Sequence, residues 1–154
     1  MLTVVPKRWF SWDFDVEDDN RMPVGEVRLS AWRERGAVSA EGFENTVSRE
    51  SALGAFVLER SGQVLARAEK PSAFRRTFAI EYDGKTYMLK ALSAFGRAFV
   101  LYHDDLAIGT LAPTGFWTRR ARVELPEDMP LTLKLFVIWL TLLHWKREAD
   151  ASHA

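Results

Sequence analysis

Residues 131–148, LTLKLFVIWLTLLHWKRE, constrain the fold more than any other stretch of the chain. Leu133, Leu135, Phe136, Val137, Ile138, Trp139, Leu140, Leu142, Leu143 and Trp145 cannot share one face of a helix. A surface helix would show a polar side. This one offers only a thin stripe, Lys134, Thr141 and Glu148, spaced seven residues apart. Length separates a membrane span from a core. Leu135 to Trp145 is 11 residues without a charge, and a start at Leu131 gives 15 with Lys134 inside. A bilayer core needs roughly 20 apolar residues, with about 17 as a floor. The segment therefore predicts a helix over about 130–147 that the rest of the chain encloses. Asp128 is placed to cap it, Pro130 to occupy its first turn, and Lys146 and Arg147 to meet its carbonyl end. Residues 150–154 are expected to form a disordered tail.

What precedes the helix reads as strands. FVLE-RSGQ-VLARAE, RRTFAIEY-DG-KTYMLKAL and RAFVLYH-DD-LAIGTLA are three hairpin patterns, turning at Ser61-Gly62, Asp83-Gly84 and Asp104-Asp105. Such pairs tolerate the positive φ of tight hairpin turns. Further strands are expected within residues 2–10, 24–33 and 116–125. The acidic DFDVEDDNRMP of residues 13–23 reads as a loop, and residues 34–52 as an irregular link or short helix. A meander of this length curls into a barrel or sandwich. A closed barrel has an apolar interior and no free edge, so it is a natural sheath for an all-round apolar helix. The inward positions expected are Phe56 and Leu58, Phe78 and Ile80, Phe99 and Leu101, and Leu106 and Ile108. The fold class predicted is mainly β: a closed, mostly antiparallel barrel of about 10–12 strands surrounding a buried C-terminal helix. It forms a single domain over residues 1–149.

Composition removes several functions. The 154 residues carry 21 basic and 21 acidic side chains. That balance argues against nucleic acid as a partner, since such domains are usually clearly basic. Residues 1–60 hold 8 basic and 11 acidic side chains, and residues 61–154 hold 13 and 10. There is no cysteine, which excludes disulfides, thiolate nucleophiles and zinc–thiolate sites. His103, His144 and His153 have no metal-ligand spacing, and no cofactor motif is present. The opening MLTVVPKRWF lacks the pattern of a secretory signal, so a cytoplasmic protein is expected.

The order of elements resembles the tubby C-terminal-like superfamily, in particular its small scramblase-related and LURP-one-related members. The resemblance rests on FVLERSGQVLARAEK, FAIEYDGKTYMLKAL, FVLYHDDLAIGTL and RVELPEDMPLTLKLFVIWLTLLHW, covering roughly residues 50–148. It implies a twelve-stranded barrel around the C-terminal helix, where the residues alone place about ten strands. It also implies binding of anionic phospholipid headgroups through basic side chains, with peripheral attachment to a membrane. Calcium binding is not carried over. Glu124, Glu127 and Asp128, broken by prolines, do not match a calcium loop.

Two basic groups are candidate anion sites. Arg119, Arg120 and Arg122 sit on an expected strand, where Arg120 and Arg122 share a face and Arg119 points away. The guanidinium fork suits phosphate oxygens, and Trp117 lies beside it. Lys70, Arg75 and Arg76 flank an expected turn at Pro71-Ser72. In both cases a solvated outer wall is the plainer reading. Trp9 and Trp12, in KRWFSWDF, are expected to pack on the barrel, although such a mixture also suits a membrane interface. Asp13, Asp15, Glu17, Asp18 and Asp19 fit no metal loop. His103 beside Asp104-Asp105 lacks the partners of an acid–base site. His144 is expected to be a packed or capping residue. No catalytic constellation assembles, so a non-enzymatic binding barrel is the leading expectation. Its ligand would be an anionic phospholipid or another phosphorylated molecule. The alternatives are a structural or interaction module for a protein partner, and a membrane-inserted scramblase-like protein.

Overall fold

In a computed structural model, residues 1–71, 76–93 and 96–152 are described. They form twelve strands and one helix: β1 (Leu2–Pro6), β2 (Asp13–Glu17), β3 (Pro23–Leu29), β4 (Gly36–Ala40), β5 (Phe43–Arg49), β6 (Phe56–Arg60), β7 (Gln63–Glu69), β8 (Thr77–Tyr82), β9 (Lys85–Ala91), β10 (Phe99–His103), β11 (Leu106–Pro113), β12 (Ala121–Glu124) and α1 (Leu131–Ser152). Each strand pairs antiparallel with its neighbours in sequence, and β1 closes the ring on β12 through Leu2↔Val123, Thr3↔Arg122 and Val4↔Ala121. Twelve strands enclose more room than wall side chains can fill, and α1 occupies it.

Inward positions alternate along the strands except where the register shifts in the β2–β3, β6–β7 and β10–β11 ladders. Val4, Phe14, Val16, Val27, Val38, Phe56, Leu58, Phe78, Ile80, Leu89, Phe99, Leu101 and Val123 are buried against Leu133, Leu135, Phe136, Trp139, Leu140 and Leu143 of the helix. Ala40, Ala66, Ala68 and Ala121 are small inward residues that leave space for the helix's bulk. Thr141, the polar member of the helix stripe, is buried and donates its hydroxyl to Val137 O at 3.1 Å. Among the described residues no helix is long and apolar enough to cross a membrane.

Several expectations change. DFDVE is a strand, because Phe14 and Val16 alternate inward between its acids. Residues 34–52 contain β4 and β5, joined by Glu41-Gly42 with φ of 55° and 82°. Leu106 is 69% exposed rather than inward. The register shifts between Leu101↔Gly109 and Tyr102↔Ala107, so Ile108 is an extra residue in the ladder and the alternation resets. Residues 116–120 lie before β12, in a connection. The helix starts with Pro130 O accepting from Lys134 N, so Pro130 rather than Asp128 holds the capping position. It continues to Ser152, past the expected end near 147, supported by the Lys146–Asp150 pair and by Ser152 Oγ on Ala149 O. Lys146 and Arg147 therefore precede the last turn.

Candidate functional site: the loop end of the barrel

The two ends of the barrel are chemically different. A closed up-and-down meander sends alternate connections to opposite ends. At the end where α1 enters, four connections are two residues long: Glu41-Gly42, Ser61-Gly62, Asp83-Gly84 and Asp104-Asp105. Both residues of each have positive φ, as a twist-matched hairpin requires. At the end where α1 finishes, all six connections are six or seven residues long: 7–12, 30–35, 50–55, 70–76, 92–98 and 114–120. These six hold nine basic side chains (Lys7, Arg8, Arg33, Arg35, Lys70, Arg76, Arg97, Arg119 and Arg120) and two acidic ones (Glu34 and Glu50) among their described residues. The opposite connections, 18–22, the four tight turns and 125–130, hold eight acidic side chains and one basic, Arg21. A chain with no net charge is thus strongly polarised along its barrel axis.

The long loops are bolted down by cations. Arg119 donates to the carbonyls of Ser11 and of Arg8 (2.6 Å for Arg8), and lies over the Trp12 ring at 5.4 Å. Burial holds its pKa below the usual guanidinium range. Arg97 donates to Thr118 O (2.8 Å), Gly115 O (3.1 Å) and Phe116 O (2.7 Å), and stacks on Trp145 at 4.9 Å. From the helix, Lys146 reaches Ala31 O at 3.3 Å. Arg147 grips Glu34 with two bonds of 2.8 and 2.7 Å. Arg49 adds a third bond to that carboxylate at 2.6 Å.

Glu34 is outnumbered here. Burial alone would raise its pKa, but the bonds and charge of Arg147, with Arg49 behind, outweigh it and hold the carboxyl below its ordinary value. Lys70 joins the same group. Burial, then the charges of Arg147 and Arg49, push its pKa down, with Glu34 partly offsetting them. Arg76 donates to Gly96 O (2.8 Å), Ser93 O and Glu148 (3.0 Å), and lies 3.4 Å from His144 Nε2. Beside this group, Arg33, Arg35 and Arg49 line a hollow of about 440 Å³ with Glu34, Ser48, Ser51 and Ala52.

The same loops expose large apolar side chains. Trp9 is 86% exposed, Trp32 93%, Leu53 93% and Trp117 91%; Phe10, Leu92 and Phe116 are also exposed. Trp12, by contrast, packs against Phe14 at 5.9 Å. The expectation of packing thus holds for one member of the pair and fails for Trp9.

The six sequence candidates are distributed rather than convergent. Arg119 is spent on loop carbonyls and precedes the strand. Arg120 is exposed and lines a hollow with Glu17, Asp18, Asp19 and Arg21, where three carboxylates against two guanidinium groups make an unfavourable setting for an anion. Arg122 points outward from β12 opposite Thr3. Lys70 and Arg76 belong to the loop-end group, and Arg75 lies outside the described residues. Sequence reasoning missed Arg33, Arg35, Arg49 and Arg147, which gather around Glu34 from three separate parts of the chain, and Arg97, which holds the 114–120 connection. His103 bonds Thr86 O at 3.2 Å and lies 3.4 Å from Asp104, in a hairpin turn. Among the described residues no group of three or more His, Asp or Glu side chains could hold a metal ion.

No family model, curated protein or solved structure matches the chain. The architecture itself, a closed twelve-stranded antiparallel barrel around a single C-terminal helix, agrees in outline with the tubby-like fold that the sequence resembles.

Proposed function

We propose that this chain is a non-enzymatic binding barrel of the tubby-like, scramblase-related type. Its loop end, rather than its outer wall, receives anionic ligands. The observation that carries the reading is the charge separation between the connections: among their described residues, nine basic against two acidic side chains at one end and one against eight at the other. Such a field draws polyanions to one end and repels them from the other. Arg33 and Arg35, with the hydroxyls of Ser48 and Ser51, offer donors suited to phosphate oxygens, while Arg49 beside them is held by Glu34 and the Gly54 carbonyl and adds charge. The ligand class is a phosphorylated headgroup, carried by a lipid or by a soluble molecule, and the location is cytoplasmic with peripheral contact to a membrane.

The test is co-sedimentation with vesicles of phosphatidylcholine alone and with added phosphatidylserine or phosphoinositide. Binding to the anionic vesicles at low salt that weakens with added salt is expected. Arg33→Glu with Arg35→Glu should abolish it, and Arg122→Glu on the wall should change it little. Competition by soluble inositol phosphates separates a headgroup site from general surface attraction. Absence of binding at low salt, or loss only with the wall substitution, would overturn the reading.

A further inference from the structure

The fully exposed tryptophans require their own explanation. Large apolar side chains normally escape water, and isolated exposed ones are common. Here three tryptophans, each 86% or more exposed, fall in connections 114–120, 7–12 and 30–35. Those connections are successive sectors of the ring, because β11–β12, β1–β2 and β3–β4 are neighbours in the closed order. Each is held to the barrel by a cation from elsewhere. Arg97 fixes the Trp117 loop, Arg119 the Trp9 loop, and Lys146 with Arg147 the Trp32 loop. The anchoring groups take the loop carbonyls and the Glu34 carboxylate, so the backbone is satisfied while the indoles stand outward. Two of the indoles have basic side chains beside them in their own loops, Arg8 next to Trp9 and Arg33 and Arg35 flanking the Trp32 loop, whereas the arginines after Trp117 are turned to loop carbonyls and to the acidic hollow.

We propose that the barrel docks end-on to an anionic bilayer, with Trp9, Trp32 and Trp117 inserted into the headgroup layer and its arginines paired with lipid phosphates. This rests on the reading of the basic end given above and commits it to a membrane rather than a soluble ligand. Tryptophan is the side chain that prefers the membrane–water interface, with its ring at headgroup depth. Neighbouring lysine and arginine add attraction to acidic lipids. A second copy meeting the same end is disfavoured because two basic ends repel. A head-to-tail contact between opposite ends is open-ended and would produce filaments rather than a closed dimer. The acidic end then faces away from the membrane, so the charge asymmetry sets the orientation of approach.

The experiment compares the wild-type chain with the triple variant Trp9→Ser, Trp32→Ser, Trp117→Ser on phosphatidylcholine–phosphatidylserine vesicles, with and without lipids brominated near the carbonyl. Because these indoles are exposed, the variant should keep the wild-type circular dichroism and melting temperature. Wild-type fluorescence should be quenched by brominated lipid. Its binding should persist in part at high salt, where charge attraction is screened. The variant should bind about tenfold or more weakly, lose the salt-resistant fraction and show no quenching above background. Equal binding by both proteins, without quenching, would overturn insertion while leaving charge-driven binding intact. Failure of both to bind at low salt would remove the basic-end reading and this one together. Lipid-free self-association of wild type that the variant lacks would also overturn the proposal, assigning the tryptophans to a protein contact.

Discussion

Trp139 Nε1 donates a 3.0 Å hydrogen bond to the Arg28 carbonyl, directly beside Gly36. A Cβ on Gly36 would overlap that carbonyl and stand 2.7 Å from the indole nitrogen. Gly25, one strand away, would place a Cβ 2.9 Å from Leu135 Cδ1. The helix is therefore seated against β3 and β4, where two glycines thin the wall. Gly36→Val should destabilise the fold by about 3 kcal/mol, at the upper end of ordinary overpacking. Trp139→Ala should cost about 3–5 kcal/mol through the cavity it leaves. Denaturant unfolding of the two single variants and the double variant checks both, with the double falling short of additivity because the residues share one contact.

Glu34 makes stability and ligand attraction pull in opposite directions. Its carboxylate ties connection 30–35 to Arg49 and to the end of α1. Glu34→Gln should lower stability by about 1–2 kcal/mol, since the charge-assisted bonds weaken and three cations are left close together. The same change raises the positive charge of the loop end. Vesicle binding at low salt should therefore tighten while the melting temperature falls. Weakened binding would count against the loop end as the anion site.

His144 ties stability to pH. It is buried, packs edge-on against Phe99 at 5.4 Å, and its Nδ1 has no hydrogen-bond partner among the described residues. Burial pushes its pKa below 6.5; the Glu148 charge opposes this, while Arg76 and Lys70 reinforce it. A base with a depressed folded pKa binds fewer protons in the folded state than in the unfolded one. Its contribution is complete above pH 6.5 and is lost as pH falls from there through the folded value. Melting temperatures measured from pH 8 to pH 5 should decline for wild type, and His144→Gln should flatten the upper part of that decline.

A polar chain secures the opposite end. Asn45 is fully buried, donates to Val38 O at 3.2 Å and accepts from Arg60 Nε at 2.8 Å. Arg60 in turn reaches Thr132 Oγ1 at 3.3 Å and lies over the Phe43 ring at 4.1 Å. Asn45→Ala should destabilise by about 1–3 kcal/mol, because it strands a buried carbonyl and a guanidinium N–H. Hydrogen exchange should show the first turn of α1 loosening more than its centre. Uniform loosening would show that the chain does not pin the helix start.

The barrel was legible because its two signals are local. The helix advertises itself by apolar residues on every side, and the hairpins by pairs such as Asp83-Gly84. β2 escaped notice because Asp13, Asp15 and Glu17 dominate its composition, although Phe14 and Val16 keep the two-residue period. In β4 and β5 the strand-favouring Val38, Phe43, Thr46 and Val47 are diluted by Gly36, Ala37, Ser39, Ala40, Glu44, Asn45 and Ser48, which carry little strand signal. Their turn, Glu41-Gly42, was the available clue. The loop end could not be read this way. Arg49 and Arg147 converge on Glu34 across 15 and 113 residues of sequence. That neighbourhood exists only after α1 has packed inside the barrel beside β3, β4 and β5. The tryptophans were visible one by one, but their shared direction follows from alternation of the connections.

Ring closure also governs the route to the folded state. The seam joins Leu2 to Val123, and the interior is completed by a segment that leaves the ribosome after every strand has been made. Until then, each nascent hairpin presents its apolar face with nothing to cover it. Only the β1–β12 seam and the packing of α1 bring distant segments together, and closing those long loops is the slow step. The barrel can therefore close only once β12 and α1 are both available, which leaves its apolar wall open to aggregation until late in folding.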